Sequence, residues 1–288
     1  MVAAGANPHE ADGKTGTSGL TDEVIRTIQA FLESPDPESL RHGLALVEHE
    51  ISRLGSKDAR PLFEVLSSIF YLDPLDRPEL VPILDEAVSL VVGFGEWVIP
   101  VLLDHLEAGD VKAQLAIGHA LGRIGADAIE PLIAKYGTLA DPSVRPFVLY
   151  ALGKIDSPRI VEALPLLLEA ARSGELELRD TAARAAGRMA ESIPAGTIPE
   201  ELRLALLERL HDFLSDPNAA LRAKAVRSLG KLARAGHLTD EERQTVVAAC
   251  LEMLGEDGSF EWDRAYVVRK EAEGALRLAR AGASAPAN

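Results

Sequence analysis

Apolar and polar positions in this chain alternate with a helical period. In the stretch "SVRPFVLYALGKI", Ser143 to Ile155, apolar residues recur at spacings of three and four, which gathers them on one face of a helix. The ending of that stretch returns: "GHALGRI" closes at Ile124, "ARAAGRM" at Met189 and "VRSLGKL" at Leu232. Aligned on the glycine, the pattern is an apolar residue, a basic one, a small or apolar residue three later, another seven later, then Gly. Val144, Arg145, Val148, Leu152 and Gly153 fill it, as do Leu178, Arg179, Ala182, Ala186 and Gly187, and Leu221, Arg222, Ala225, Leu229 and Gly230. Ala113, Gln114, Ile117, Leu121 and Gly122 form an earlier copy without the arginine; Val268, Arg269, Ala272, Leu276 and Arg277 form a last copy without the glycine. The successive offsets from position 122 are 31, 34, 43 and 47 residues, in the range of helical repeats.

Start and stop signals divide each repeat into two helices. "DPSV" at Asp141 and "DPNA" at Asp216 offer an acidic N-cap with Pro in the first helical position, where a missing N–H costs nothing. After each glycine comes a short turn and a second apolar run, often opened by Pro: "IPVLLDHL" from Ile99, "EPLIAKY" from Glu130 and "LPLLLEAA" from Leu164. Two antiparallel helices per unit follow. Pro146 falls inside the first helix of its unit, where it is expected to remove a hydrogen bond and bend the axis.

The "D-P-x-V-R" start, the small residue three after Arg, the "A-L-G-[KR]-I" close and the Pro opening the second helix together resemble the HEAT repeat family, including its bacterial HEAT-like (phycobilisome-lyase-type) branch. The resemblance implies an all-α fold, a right-handed α-solenoid of six to seven antiparallel helix pairs, clearest over residues 95–281. Residues 20–94 read as degenerate helical repeats, "LRHGLALVEHEISRLG" with "ARPLFEVLSSIF" and "PELVPILDEAVSLVVG" with the Trp97 helix. Residues 1–19 and 282–288 read as flexible tails. A single helical pair cannot bury its apolar stripe, so each unit becomes the wall of the next.

Composition agrees with this picture and narrows the function. The chain has 288 residues, 47% of them apolar and only 5% aromatic, which favours Ala- and Leu-rich helices over sheet. Cys250 stands alone and no basic-then-apolar leader opens the chain, so the reading is a cytoplasmic protein, with no apolar run of the length a membrane span needs. The net charge of −15 is unevenly placed: residues 1–110 hold 20 acidic and 7 basic side chains, the remainder 25 and 23. Such a field repels phosphate backbones and argues against nucleic acid as a partner.

Candidate chemistry is sparse. "GKT" at Gly13 to Thr15 lacks the earlier glycine of a phosphate loop, since Pro8 stands there, and no strand precedes it. The deoxyhypusine hydroxylases, a HEAT-like family, hold iron with repeated His-Glu dyads; here Gly43 follows His42, while His49–Glu50 and His9–Glu10 have no matching set, so no metal and no cofactor is expected. Cys250, in "VVAACLEML", reads as core, and no nucleophile or acid–base frame emerges. Arg145, Arg179, Arg222 and Arg269, with Asp141, Glu177, Asp216 and Asp263 two to six residues ahead, read as bonds between successive units.

The resulting expectation is a non-enzymatic scaffold or adaptor for another protein. Resemblance implies that second helices line the inner face, which makes Trp97, Asp104, His105, Lys135, Tyr136, Glu162, Glu169, Glu208 and Asp212 the partner-binding candidates, with Trp97 and Tyr136 as aromatic anchors. That ridge is largely acidic and calls for a basic or amphipathic segment. First helices carry Lys112, Arg123, Lys154, Arg184, Arg188, Lys224, Arg227 and Lys231, a more basic outer edge. A phycobilin-lyase-like tetrapyrrole function is the alternative, and a HEAT-like DNA glycosylase is a further one that the charge disfavours.

Overall fold

The computed structural model describes residues 19–74, 76–258 and 261–281. Nearly all of the expected tails, with His9–Glu10 and the Gly13–Thr15 motif, lie outside the described residues. Within them the chain forms α1 (Asp22–Leu32), α2 (Pro37–Leu54), α3 (Pro61–Ser67), α4 (Val81–Gly93), α5 (Val98–Ala108), α6 (Val111–Ile124) and α7 (Ile129–Thr138). It continues with α8 (Arg145–Leu152), α9 (Leu164–Ala171), α10 (Leu176–Ser192), α11 (Glu200–Phe213), α12 (Ala219–Arg234), α13 (Asp240–Leu254) and α14 (Tyr266–Ala281). No strand occurs among the described residues, and the fold is all-α.

Even-numbered helices pack on one another in one layer and odd-numbered helices lie behind them in a second. Each odd helix packs on the even helix that follows it, from α1–α2 to α13–α14, so the described stack holds seven helix pairs rather than pairs led by the even helices. One apolar core runs from Ile28 to Ala279 through the middle of the stack. Each even helix contributes the residues of the sequence template: Leu152 of α8, Leu221 and Leu229 of α12 and Val268 of α14 are fully buried.

Local start signals set the helix ends. Asp36 accepts from the Ser39 amide at 2.8 Å, and Asp110 accepts from Lys112 and Ala113, both at 3.0 Å. Thr239 and Glu242 form a reciprocal capping box at the start of α13, with bonds of 2.8 and 3.2 Å. Thr239→Ala is expected to lower stability by about 1 kcal/mol, read as a reduced urea midpoint with an unchanged slope.

Two start signals act differently from the sequence expectation. Asp216 does not cap α12; Asn218 does, accepting from Ala220 and Leu221 at 2.9 and 3.2 Å. Pro146 does not bend α8. Residues Pro142–Val144 form a 3-10 turn and α8 starts only at Arg145, so Pro146 occupies the first helical turn, where no intrahelical donor is lost.

The recurring glycine marks close approach between successive even helices. A Cβ on Gly153 would lie 3.1 Å from Ala185 Cβ of α10, one on Gly187 2.9 Å from Ser228 Cα of α12, and one on Gly230 2.6 Å from Ala275 Cα of α14. Gly122 faces Lys154 in the same way. The last copy has Arg277 at this position, and among the described residues no further helix packs there on α14. Gly43 belongs to the same logic at the front end: a Cβ there would meet the Leu32 side chain of α1 at 2.6 Å.

The arginine series ties units together through the connecting loops. Arg222 donates to Asp216 O at 2.8 Å in its own unit and forks onto Asp263 of the next at 2.7 and 2.9 Å. Arg179 donates to Ser173 O and Gly174 O at 3.1 and 2.8 Å and reaches Asp216 of the next unit at 3.6 Å. Arg269 repeats the own-unit half, to Asp263 O at 2.7 Å. The acid therefore stands six residues before the arginine of the following unit. Before Arg179 that position is Ser173, so Arg145 has no carboxylate to meet and stacks instead over Tyr136, 5.1 Å from the ring centroid. Asp141 accepts from the Ser143 amide at 2.9 Å, and Glu177 is exposed, so neither joins the ladder.

Candidate functional site

The second-helix candidates are mostly engaged within the protein. Tyr136 is 4% exposed, so it is a core residue and not an accessible anchor. Trp97 is half-buried, edge-on to Phe63 and Phe94 at 5.8 and 5.6 Å, with Arg60 4.4 Å above its ring. Packing among α3, α4 and α5 accounts for it. His105 lies 3.8 Å from Glu64 and 5.8 Å from the Phe63 ring. Lys135 bonds Glu107 at 2.7 Å and reaches Asp104 at 3.5 Å, joining α7 to α5, and the Glu107 bond raises its pKa. Glu162 pairs with Arg159 at 2.9 Å and Asp212 with Arg209 at 3.2 Å. Glu169 and Glu208 are exposed. The structure does not bring these residues into one cleft.

The residues flagged as enzymatic or metal candidates have structural surroundings. Cys250 is fully buried, and burial pushes its thiol up to about 11, which leaves no nucleophilic thiolate near neutral pH. His42 packs on Phe31 at 4.5 Å between centroids, and Glu50 beside His49 is held by Arg53 at 2.5 Å. No cluster of three or more His, Cys, Asp or Glu side chains that could hold a metal is found among the described residues.

Besides an open hollow beside α1 and another against α13, concavity lies on the even layer. Three adjoining clefts cross it from α4 to α12. The first, about 360 Å³, is mainly apolar and sits between α4 and α6 against the 3-10 turn Ser68–Tyr71; Val81, Leu84, Val88, Leu115 and Tyr150 line it. The second, about 120 Å³, lies between α8 and α10 and shares Leu115 and Tyr150 with the first. The third, about 350 Å³, lies between α10 and α12 and is lined by Arg184, Arg188, Lys224, Arg227, Ser228 and Lys231; it shares Arg184 and Arg188 with the second. A groove thus runs from an oily end to a cationic end. Val81 is 52% exposed and Leu115 43%, apolar surface that no part of the described chain covers.

The helix periodicity produces this groove. Positions that face away from the odd layer fall between the template's core residues: Leu115 and His119 are four apart on α6, Tyr150 and Lys154 four apart at the end of α8, Arg184 and Arg188 four apart on α10. Glycine and alanine in the template bring the helices close enough for these rows to adjoin. Ser228 closes the floor of the third cleft, buried and donating to Ala183 O at 2.7 Å.

Charge along the groove is not uniform in its pairing. Lys112 meets Asp73 at 2.8 Å, Arg123 meets Asp85 at 2.9 Å, Lys224 pairs with Asp180, Arg227 with Glu271, and Lys231 and Arg234 share Glu191. Lys154, Arg184 and Arg188 have no carboxylate partner among the described residues; Lys154 sits 5.3 Å from the Tyr150 ring centroid. Burial, then the neighbouring Arg188 and Arg184, lowers the Lys154 pKa, and burial, then Lys154 and Arg123, lowers that of His119. Burial raises the Tyr150 hydroxyl.

Residues 99–187 match the family described as HEAT repeats. That segment is made of HEAT repeats. A HEAT stack of this kind is an α-solenoid, and similarity to solved structures extends the comparison beyond the matched segment. A chain of the structure of Kap121p bound to Nup53p superposes with a TM-score of 0.57 at 15% identity, over 90% of this chain and 29% of that one. A chain of the Kap95p–RanGDP structure gives 0.54 at 13% identity, over 90% and 36%. The archaeal HEAT-like repeats protein of Thermococcus onnurineus NA1 is 16% identical over 92% of this chain and 95% of that one, with a TM-score of 0.44. At these identities the likeness concerns the fold alone. No curated protein matches the sequence. No helix among the described residues is long and apolar enough to cross a membrane.

Proposed function

We propose that this protein is a non-catalytic interaction scaffold that docks a segment of another protein in the groove across α4, α6, α8, α10 and α12. The reading is supported by one observation above the others. The clefts that adjoin into a continuous groove are built by the even helices, with uncovered apolar side chains at one end and cations at the other. A solenoid gains nothing in stability from exposing Val81 and Leu115, whereas a docking surface uses them. Stacked repeats build extended binding surfaces, and two solved structures of this fold are described as Kap121p bound to Nup53p and as Kap95p binding to RanGDP. The exposed acidic residues of the second helices, Glu169 and Glu208, remain the competing surface.

The test uses the full chain as bait in host extract, beside Leu115→Asp and Glu208→Lys. The expected result is a discrete protein retained by the parent and by Glu208→Lys and lost, at unchanged melting temperature, by Leu115→Asp. Loss with Glu208→Lys alone would move docking to the odd layer, and equal retention by all three would end the groove reading.

A further inference from the structure

The proposed groove also carries information about what enters it. Of the cations in or beside it, six are neutralised by carboxylates on a neighbouring even helix or, for Lys112, by Asp73 in a loop, while Lys154, Arg184 and Arg188 have no such partner among the described residues. This occurs in a chain with a net charge of −15, where carboxylates are abundant. Glu177 is the carboxylate lining the middle cleft, and it is exposed, three residues ahead of Asp180, which already holds Lys224. Arg184 and Arg188 line the middle cleft, and Lys154, partly desolvated, lies beside it within reach of both charges, so the folded state bears a cost that an arriving anion would remove.

Resting on the docking reading above, we propose that the groove takes an acidic segment of a partner protein, with carboxylates at Lys154, Arg184 and Arg188 and an apolar side chain in the cleft between α4 and α6. Arginine forks suit carboxylates geometrically, and Arg184 and Arg188 present two of them on one helix face. The oily cleft requires an apolar group on the same ligand, joined through Leu115 and Tyr150. Lys154 stands 5.3 Å from the ring of Tyr150, which lines the oily cleft, and Arg184 and Arg188 lie on the next even helix, roughly 8–10 Å further on, so an extended chain runs from the apolar group to the cations in roughly three to five residues. A nucleic acid fits less well. A phosphate backbone following the groove would meet Asp73, Asp85, Asp180, Glu191 and Glu271, which break the basic track on both sides of the free cations.

The test is a fluorescence-anisotropy titration of the full chain with a labelled peptide carrying two leucines at one end and four glutamates at the other, their centres about four residues apart. Both orders are made, with a lysine-for-glutamate peptide and a poly-dT strand as comparisons. Saturable binding of one acidic peptide is expected, weakened at least tenfold by the double variant Arg184→Ala, Arg188→Ala, weakened by salt, and absent for the lysine peptide. The double variant is expected to melt no lower than the parent, since it relieves like-charge repulsion. Absence of binding, equal binding to the double variant, or tighter and equally Arg-dependent binding of poly-dT would overturn the proposal. If Leu115→Asp abolishes capture of the cellular partner while the double variant captures it normally, the groove reading survives and the acidic partner does not.

Discussion

Gly230→Leu is expected to detach α14 from the end of the stack. A side chain at position 230 has no room: its Cβ alone would stand 2.6 Å from Ala275 Cα and 2.7 Å from Ala275 Cβ, and the obstacle is helix backbone rather than a flexible side-chain tip. The two helices must separate by more than a methyl group, which re-exposes Val268, Ala272, Leu276 and Ala279, all buried in the parent. Overpacking of this kind costs about 1–3 kcal/mol where a core can relax, and α14, which packs chiefly on α12 and α13, relaxes by leaving. Because neighbours in a solenoid share stability pairwise, the damage should stay local. Hydrogen exchange is expected to show α14 amides losing protection while those of α4 and α6 keep theirs. Gly274 supplies the control, since a Cβ there meets nothing within 4 Å; Gly274→Ala should stabilise by up to about 1 kcal/mol. Protection of α14 unchanged in Gly230→Leu would show that the repeated glycine is not a packing requirement.

The repeat phrase made the fold legible because it records packing between neighbours: each template residue faces either its own pair or the next even helix. Even the defective copies were informative, with Arg277 standing on the last helix of the described stack. Local chemistry was less legible where two signals competed. Asp216 reads as a cap, yet its carboxylate is drawn off to Arg179 and its own amide-rich neighbour Asn218 caps α12. Pro146 reads as a kink because the 3-10 turn before it cannot be told from helix by periodicity. The site was legible only in part. The basic residues of the even helices were visible in sequence, but which of them are neutralised depends on carboxylates 38 to 44 residues away, as for Arg123 with Asp85 and Arg227 with Glu271. That register follows from how units stack, and unequal repeat lengths hide it. Tyr136 and Lys135 misled for the same reason, their surroundings being set by Arg145 and Glu107 of adjoining elements.

Arg222→Ala should be the most costly of the arginine substitutions and should make its cost depend on pH. The side chain is largely enclosed, forks onto Asp263, and also satisfies two loop carbonyls, Asp216 O at 2.8 Å and Pro217 O at 3.2 Å. Its removal leaves a nearly buried carboxylate without its counter-charge, together with unmet acceptors, for a loss of about 3 kcal/mol at pH 7. The Arg222 bond, against the opposing effect of burial and with help from the Ala265 amide, holds the Asp263 carboxyl below the usual carboxylate range. A carboxyl whose folded value lies below its unfolded one contributes stability that is complete above the unfolded value, about 3.9, and disappears as pH falls through the folded value. The stability gap between parent and Arg222→Ala is therefore expected to be full from pH 6 to 8 and to narrow below about pH 4. Arg222→Lys should recover part of the charge effect but not the fork or the loop bonds. Urea unfolding of the three proteins at pH 7 and pH 3 measures this directly; a gap that stays constant between the two would mean that Arg222 acts through packing of its stem and not through the carboxylate it grips.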